Sequence, residues 1–149
     1  MKNTEINYLI GNENIHVKTM VPYSETVCEF LNLLSKRLLS NKTAAAYPDI
    51  SSFAFWCRKS NISKLKSEYE DSKKRLGRGL VFHITPANVP INFAFSFAFG
   101  LLSGNSNIVR VPSKAFPQIK IVTQFFDEIL KEKPFDEIRQ SNVFVRYER

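Results

Sequence analysis

Residues 77–114, GRGLVFHITPANVPINFAFSFAFGLLSGNSNIVRVPSK, decide the fold of this chain. The apolar run at residues 80–84 predicts a short strand that is covered on both faces, as strands of parallel sheets are. The almost wholly apolar run at residues 91–102 predicts a buried helix, with Pro90 in its first turn, where no N–H donor is needed. Residues 107–111 then predict a second strand. Strand, helix and strand at this spacing indicate a βαβ unit with a right-handed crossover.

Two polar residues follow these strands closely. Asn88 lies just after the first strand, and Arg110 lies near the end of the second. Ligands of open α/β sheets bind outside the carboxyl ends of the strands. We therefore expect both side chains at one rim of the sheet, at a ligand site.

The segments HITPANVP (residues 83–90) and GLLSGNSNIVRVPSK (residues 100–114) resemble one known family. It is the acyl-CoA reductase branch of the aldehyde dehydrogenase superfamily, of the bacterial luminescence long-chain acyl reductase type. The resemblance is specific over residues 77–114 and looser elsewhere. It implies an α/β fold: the first half of a doubly wound, Rossmann-type parallel sheet, preceded by a mainly helical segment, so that the domain is incomplete. The implied activity is reduction of a fatty acyl thioester to an aldehyde with NADPH, through a cysteine acyl-enzyme.

The resemblance also implies a catalytic role for Asn88. This residue matches the asparagine whose amide N–H stabilises negative charge on the former carbonyl oxygen. Without its neighbouring motif, Asn88 is more simply interpreted as the cap of the helix near Pro90, because asparagine is a favourable capping residue. The neighbouring motif favours the oxyanion role.

Cofactor contacts are implied on both sides of the predicted rim. Arg110 matches a position, usually lysine, that touches the adenosine ribose, and Ser113 matches one where many NAD-preferring relatives carry glutamate. A serine beside Arg110 and Lys114 removes the repulsion of a 2′-phosphate and supplies donors, which favours NADPH over NADH. Without the resemblance, Arg110 is an ordinary strand-end charge and Ser113 a helix cap. The backbone of the segment Thr85, Pro86 and Ala87 is expected close to the cofactor, or is a plain strand-to-helix turn.

Outside this unit the pattern predicts two portions, at residues 1–76 and 77–149. The first reads as a strand at 6–10, paired in a hairpin with 15–20, and then as helices. One helix is preceded by a capping box of Thr26 and Glu29, with Ser24 as the alternative cap. A second runs from Asp49 or Ser51 to Cys57, residues 60–63 break it, and a short third helix follows. The second portion adds a helix after Pro117 and a third strand at 142–147.

Three parallel strands make one half of a dinucleotide-binding sheet, so we expect a fragment. In the family that the chain resembles, the nucleophilic cysteine lies well beyond the cofactor-binding half, whereas Cys28 and Cys57 precede it. The resemblance thus implies an N-terminal fragment that is inactive alone. The implied partners are an acyl-CoA or acyl-protein thioester, further copies of the full-length chain, and acyl-transferring enzymes.

Composition narrows the class of protein. The chain has 149 residues, 44% of them hydrophobic, which indicates a globular domain. Two cysteines without framework spacing indicate reduced thiols and a cytoplasmic protein. The apolar run ending at Leu102 is too short for a membrane span of about 20 residues. His83 reads as a core residue, and with His16 as the only other histidine we expect no metal site.

The net charge and the exposed sheet edges each suggest an alternative function. The net charge of +7 and the cluster Lys73, Lys74, Arg75 and Arg78 suggest a nucleic-acid binder. No aromatic residues interleave with the cluster, so a solvated linker or a patch near coenzyme A phosphates is the better reading. The other alternative is a non-catalytic interaction fragment that pairs through an exposed sheet edge. In that case we expect the last strand to be the unpaired, aggregation-prone one.

Overall fold

The computed structural model describes residues 5–69 and 73–147. Within them, a four-stranded sheet is combined with seven α-helices and one short 3-10 helix. The strands are β1 (Asn7–Ile10), β2 (Leu80–Ile84), β3 (Ser106–Arg110) and β4 (Asn142–Arg146). The helices are α1 (Glu25–Ser40), α2 (Lys42–Ala45), α3 (Pro48–Trp56), α4 (Lys59–Tyr69), α5 (Asn92–Leu102), α6 (Pro117–Leu130) and α7 (Asp136–Gln140), and the 3-10 helix is Lys133–Phe135.

The strand order is β1-β4-β3-β2. β2, β3 and β4 are parallel, as the sequence predicts. β1 pairs antiparallel with β4, so the hairpin expected between residues 6–10 and 15–20 is wrong. The second segment instead bonds to distant backbone: the His16 N–H donates to the Gln140 carbonyl at 2.9 Å, and the Met20 N–H to the Gly104 carbonyl at 2.9 Å. Pairing between distant segments overrides the local hairpin pattern here.

The expectation that β2 is covered on both faces is also wrong. Leu80, Phe82 and Ile84 are 45%, 49% and 56% exposed, whereas His83 on the opposite face is buried. Successive side chains of a strand point to opposite faces. One face of β2 therefore contacts the core, and the other lies open along the edge of the sheet. The last strand, β4, is paired on both sides, so the expectation that it is the unpaired strand is wrong too.

Helix α5 connects β2 to β3, as predicted for the βαβ unit, but it begins at Asn92. Pro90 lies in the turn before it, and the N-cap residue Ile91 has no side-chain cap bond. Asn88 therefore does not cap this helix. Gly100 lets α5 approach the sheet closely, since a Cβ atom there would overlap the Asn107 side chain.

Helices α1 and α6 bury the apolar faces that their spacing predicts. The buried side chains are Val27, Phe30, Leu31, Leu34 and Leu38 in α1, and Ile119, Val122, Phe126, Ile129 and Leu130 in α6. Aromatic contacts join them to α5, because the Phe97 ring lies 6.4 Å from Phe30 and 5.2 Å from Phe126. Helices from before residue 77 thus share one hydrophobic core with the α/β portion.

The ends of the early helices differ from expectation. Ser24 is the residue before α1, and its hydroxyl makes no cap bond, so the capping box of Thr26 and Glu29 is wrong. α3 begins at Pro48, where a proline suits the first turn. Residues 60–63, expected as a break, belong to α4. The short helix α2 was not predicted, since four residues carry too little periodicity.

Candidate functional site at the carboxyl rim of the sheet

The parallel register of β2 and β3 brings the predicted site segments to one edge. Ile84, the last residue of β2, pairs with Arg110, the last residue of β3. The turn that carries Asn88 and the segment that carries Ser113 therefore both leave the sheet at its carboxyl edge. The two sides of the predicted rim meet at the same end of neighbouring strands, where ligands of α/β sheets bind.

Arg110 is half-buried and lies on the open face of the sheet. Its guanidinium carbon is 4.8 Å from the centre of the Tyr147 ring. Its Nε atom is buried and has no hydrogen-bond partner. Sequence reasoning included Tyr147 in the strand predicted at 142–147 and gave it no role at the site, whereas the observed strand ends at Arg146. The contact depends on the register between β3 and β4, which sequence alone does not give.

The β2 side of the rim contains one orphaned hydroxyl and one exposed amide. The Thr85 Oγ1 atom is buried without a hydrogen-bond partner. Pro86, Ala87 and Asn88 follow it in an exposed turn. The Asn88 side chain makes no hydrogen bond to any residue between 5 and 69 or 73 and 147. Its amide is thus available to a ligand.

Ser113 and Lys114 occupy an exposed bend after β3. The residue before α6 is Phe116, so Ser113 does not cap that helix. The Lys114 Nζ atom lies 5.0 Å from the centre of the Phe116 ring. The β3 side of the rim therefore presents one hydroxyl and two cations, Arg110 and Lys114.

A buried polar network fixes the strands behind the rim. The His83 ring bonds to Ser96 Oγ through Nδ1 at 2.7 Å and to Asn107 Oδ1 through Nε2 at 2.8 Å. The Asn107 amide donates to Asn142 Oδ1 at 2.8 Å. Because Asn107 Oδ1 only accepts, the His83 Nε2–H is the donor in that bond. The network links β2, α5, β3 and β4, and His83 is the satisfied core residue that the sequence predicts.

Neither cysteine has the character of a nucleophile. Cys57 is fully buried, and burial raises the pKa of its thiol far above the ordinary value. Burial also raises the pKa of Cys28, whose Sγ donates to the Tyr23 carbonyl at 3.6 Å. Only the thiolate attacks an acyl carbon, and both sites disfavour it.

The basic cluster lies at the other end of β2. The Arg78 N–H donates to Asn105 Oδ1 at 2.6 Å, just before β2 begins. The Arg75 guanidinium carbon is 5.3 Å from the centre of the Tyr69 ring. Lys73 and Arg75 line a cavity of about 300 Å³ beside the start of α1. The cluster is therefore separated from the rim by the length of the strand.

In residues 5–69 and 73–147 no helix is long and apolar enough to cross a membrane. The same residues contain no group of three or more His, Cys, Asp or Glu side chains that could hold a metal ion.

The α/β fold gathers polar groups from two neighbouring parallel strands at one carboxyl rim. Residues 13–141 match the family model described as Acyl-CoA reductase (LuxC), and the chain belongs to this family. No curated protein and no solved structure matches the chain. The family is one of acyl-CoA reductases, so the rim is compared below with a site for that reaction.

Proposed function

We propose that this chain forms the nucleotide-binding part of a reductase that converts a fatty acyl thioester to an aldehyde with NADPH. Family membership supports the acyl-CoA reductase class. The observation that carries the proposal is the pairing of Ile84 with Arg110, because it aligns the two motif segments at one edge. A doubly wound, aldehyde dehydrogenase-like sheet is part of the proposal. Its second half would pair with the free edge of β2, and helices of that half would cover the open face.

The residues present at the rim fit a phosphorylated dinucleotide. The orphaned Thr85 hydroxyl and Arg110 Nε–H are unused polar atoms of the kind that a bound ligand satisfies. Arg110, Ser113 and Lys114 would hold the adenosine ribose and its 2′-phosphate. Arginine and lysine bind phosphate strongly, and no carboxylate replaces Ser113 to repel it. The bound cofactor would supply hydride to the acyl group.

Asn88 would stabilise negative charge on the acyl oxygen. Its side chain is exposed and makes no hydrogen bond to a described residue, so its N–H can donate to a substrate. An amide donates without being titrated, which keeps the contact constant over a wide pH range. Loss of one such donor lowers turnover about 10²–10³-fold in a protease. The acyl-enzyme cysteine would have to come from outside residues 1–149, since Cys28 and Cys57 do not fit that role.

The cofactor assignment is tested by titrating this chain with NADPH and NADH and following nicotinamide fluorescence. We expect tighter binding of NADPH. Ser113→Glu should weaken NADPH more than NADH, because a carboxylate repels the 2′-phosphate. Asn88→Ala should leave both affinities unchanged, since its proposed partner is the acyl oxygen. Lys120→Ala, an exposed cation of α6, controls for net charge. Equal affinity for both cofactors, unaffected by Ser113→Glu, would overturn the assignment.

A second proposal, an interaction surface, rests on the open face of the sheet. Phe82 and Ile84 are about half exposed on an edge strand. The open face contains an apolar cavity of about 290 Å³, and the residues that line it include Phe82, Ile108, Val145 and Tyr147. Exposed apolar faces of this kind mark surfaces for further protein. Its proposed occupant is another copy of the chain.

A further inference from the structure

We infer that Tyr147 is a positioning residue for Arg110, and that its ring aims the guanidinium at a 2′-phosphate on adenosine. The inference rests on the proposed function and deepens it. It adds a residue that directly follows β4 to a site otherwise built from the ends of β2 and β3.

The described surroundings of Arg110, residues 5–69 and 73–147, contain no fixed polar partner for its guanidinium. Ile84 pairs with it on β2 and Val145 on β4, so apolar side chains flank it on both sides. No carboxylate pairs with it among the described residues. Its buried Nε–H has no acceptor. Within residues 5–69 and 73–147, neither an ion pair nor a bond at Nε therefore sets the orientation of this cation.

Tyr147 supplies the missing orientation. The β3–β4 ladder continues past the strand end, since the Val111 N–H donates to the Val145 carbonyl at 2.8 Å. Alternation along β4 puts Tyr147 on the same face as Val145, diagonal to Arg110. The guanidinium carbon lies 4.8 Å from the centre of the ring, within cation–π range.

A planar guanidinium held over a ring keeps its N–H edge free. That edge binds two phosphate oxygens at once, which an ammonium group cannot do. Fixing the plane before the ligand arrives reduces the ordering cost of binding. The ring thereby favours a phosphate at the rim over a ribose hydroxyl, because only the phosphate gains the bidentate contact.

The test uses adenosine 2′,5′-bisphosphate as the probe and AMP as its counterpart without the 2′-phosphate. Calorimetric titration of this chain measures both affinities. Tyr147→Leu should weaken the bisphosphate about three- to tenfold and leave AMP unchanged. Tyr147→Phe keeps the ring and should bind as the wild type does. Tyr8→Leu is the matched control, since Tyr8 lines the same open face.

A second measurement reads the position of Arg110 without ligand. A ring near the guanidinium shifts the Arg110 Nε–H resonance in an NMR spectrum. Tyr147→Leu should remove that shift, whereas Tyr147→Phe and Tyr8→Leu should retain it. Thermal unfolding of each variant reports whether it remains folded.

The outcomes separate the inference from the proposed function. If Arg110→Ala weakens the bisphosphate but Tyr147→Leu does not, the positioning role is wrong and the cofactor contact stands. If the chain does not bind the bisphosphate, or Arg110→Ala has no effect, the proposed contact fails and the inference fails with it. An unchanged Nε–H resonance in Tyr147→Leu would also overturn the positioning role.

Discussion

Cys57 shows how one buried group links stability to pH. It follows α3 directly and has no exposed surface, so ionisation would place a charge in the apolar core. Burial therefore raises the pKa of its thiol in the folded state above the ordinary 9.0. The folded chain retains this proton at pH values where the unfolded chain has lost it.

We expect wild-type stability to fall, relative to Cys57→Ala, as the pH rises above 9.0. The unfolded state then binds fewer protons than the folded state, so the free energy of unfolding decreases by up to about 1.4 kcal/mol per pH unit. Below that pH the thiol is protonated in both states and contributes no slope. Urea unfolding of both proteins at several pH values measures the difference. A difference that stays constant with pH would contradict the prediction, because the cavity left by alanine is independent of pH.

The packing of α5 against the sheet depends on one glycine. A Cβ atom at Gly100 would overlap Asn107 Oδ1 and come within 2.9 Å of His83 Nε2. These are the atoms that join β2 to β3 through the buried network. The close approach of α5 to the sheet and the hydrogen bond between His83 and Asn107 therefore both require that residue 100 has no side chain.

Gly100→Ala should destabilise the fold. Helix propensity alone would make alanine better by about 0.5–1 kcal/mol. Overpacking against the network costs about 1–3 kcal/mol, so the net loss should be about 1 kcal/mol and at most about 2.5 kcal/mol. Chemical denaturation of the purified chain measures it. A gain in unfolding free energy would mean that α5 can move away from the sheet at no cost.

At the scale of the whole molecule, the exposed edge and open face of β2 govern association. Helices α1, α5 and α6 pack on the other face of the sheet. Leu80, Phe82 and Ile84 therefore contact solvent. An exposed apolar edge strand is a template for pairing with another chain. Apolar surface exposed along a strand edge promotes association more than the same surface on a helix.

Phe82→Ser should reduce self-association with little change in the free energy of unfolding. Phe55→Ser is the matched control, because both rings are 49% exposed and Phe55 lies on α3. Sedimentation velocity over a range of concentrations measures the effect. An equal reduction in both variants would assign association to general hydrophobicity and not to the β2 edge.

Local pattern predicted much of this fold. The apolar runs predicted β2, α5 and β3, and helical spacing predicted the buried faces of α1 and α6. These features follow from neighbouring residues that repeat at a fixed period. The candidate rim was predictable for the same reason, because Asn88 follows one strand and Arg110 ends the next, and one short crossover joins these parallel strands.

Sequence by itself thus determined the βαβ unit, its polar rim and the family. Tertiary structure alone decided that β1 joins β4, that one face of β2 stays open, and that Tyr147 lies over Arg110. Each of these depends on which distant segments become neighbours. Local periodicity carries no information on that choice, since it is made by packing between segments far apart in the chain.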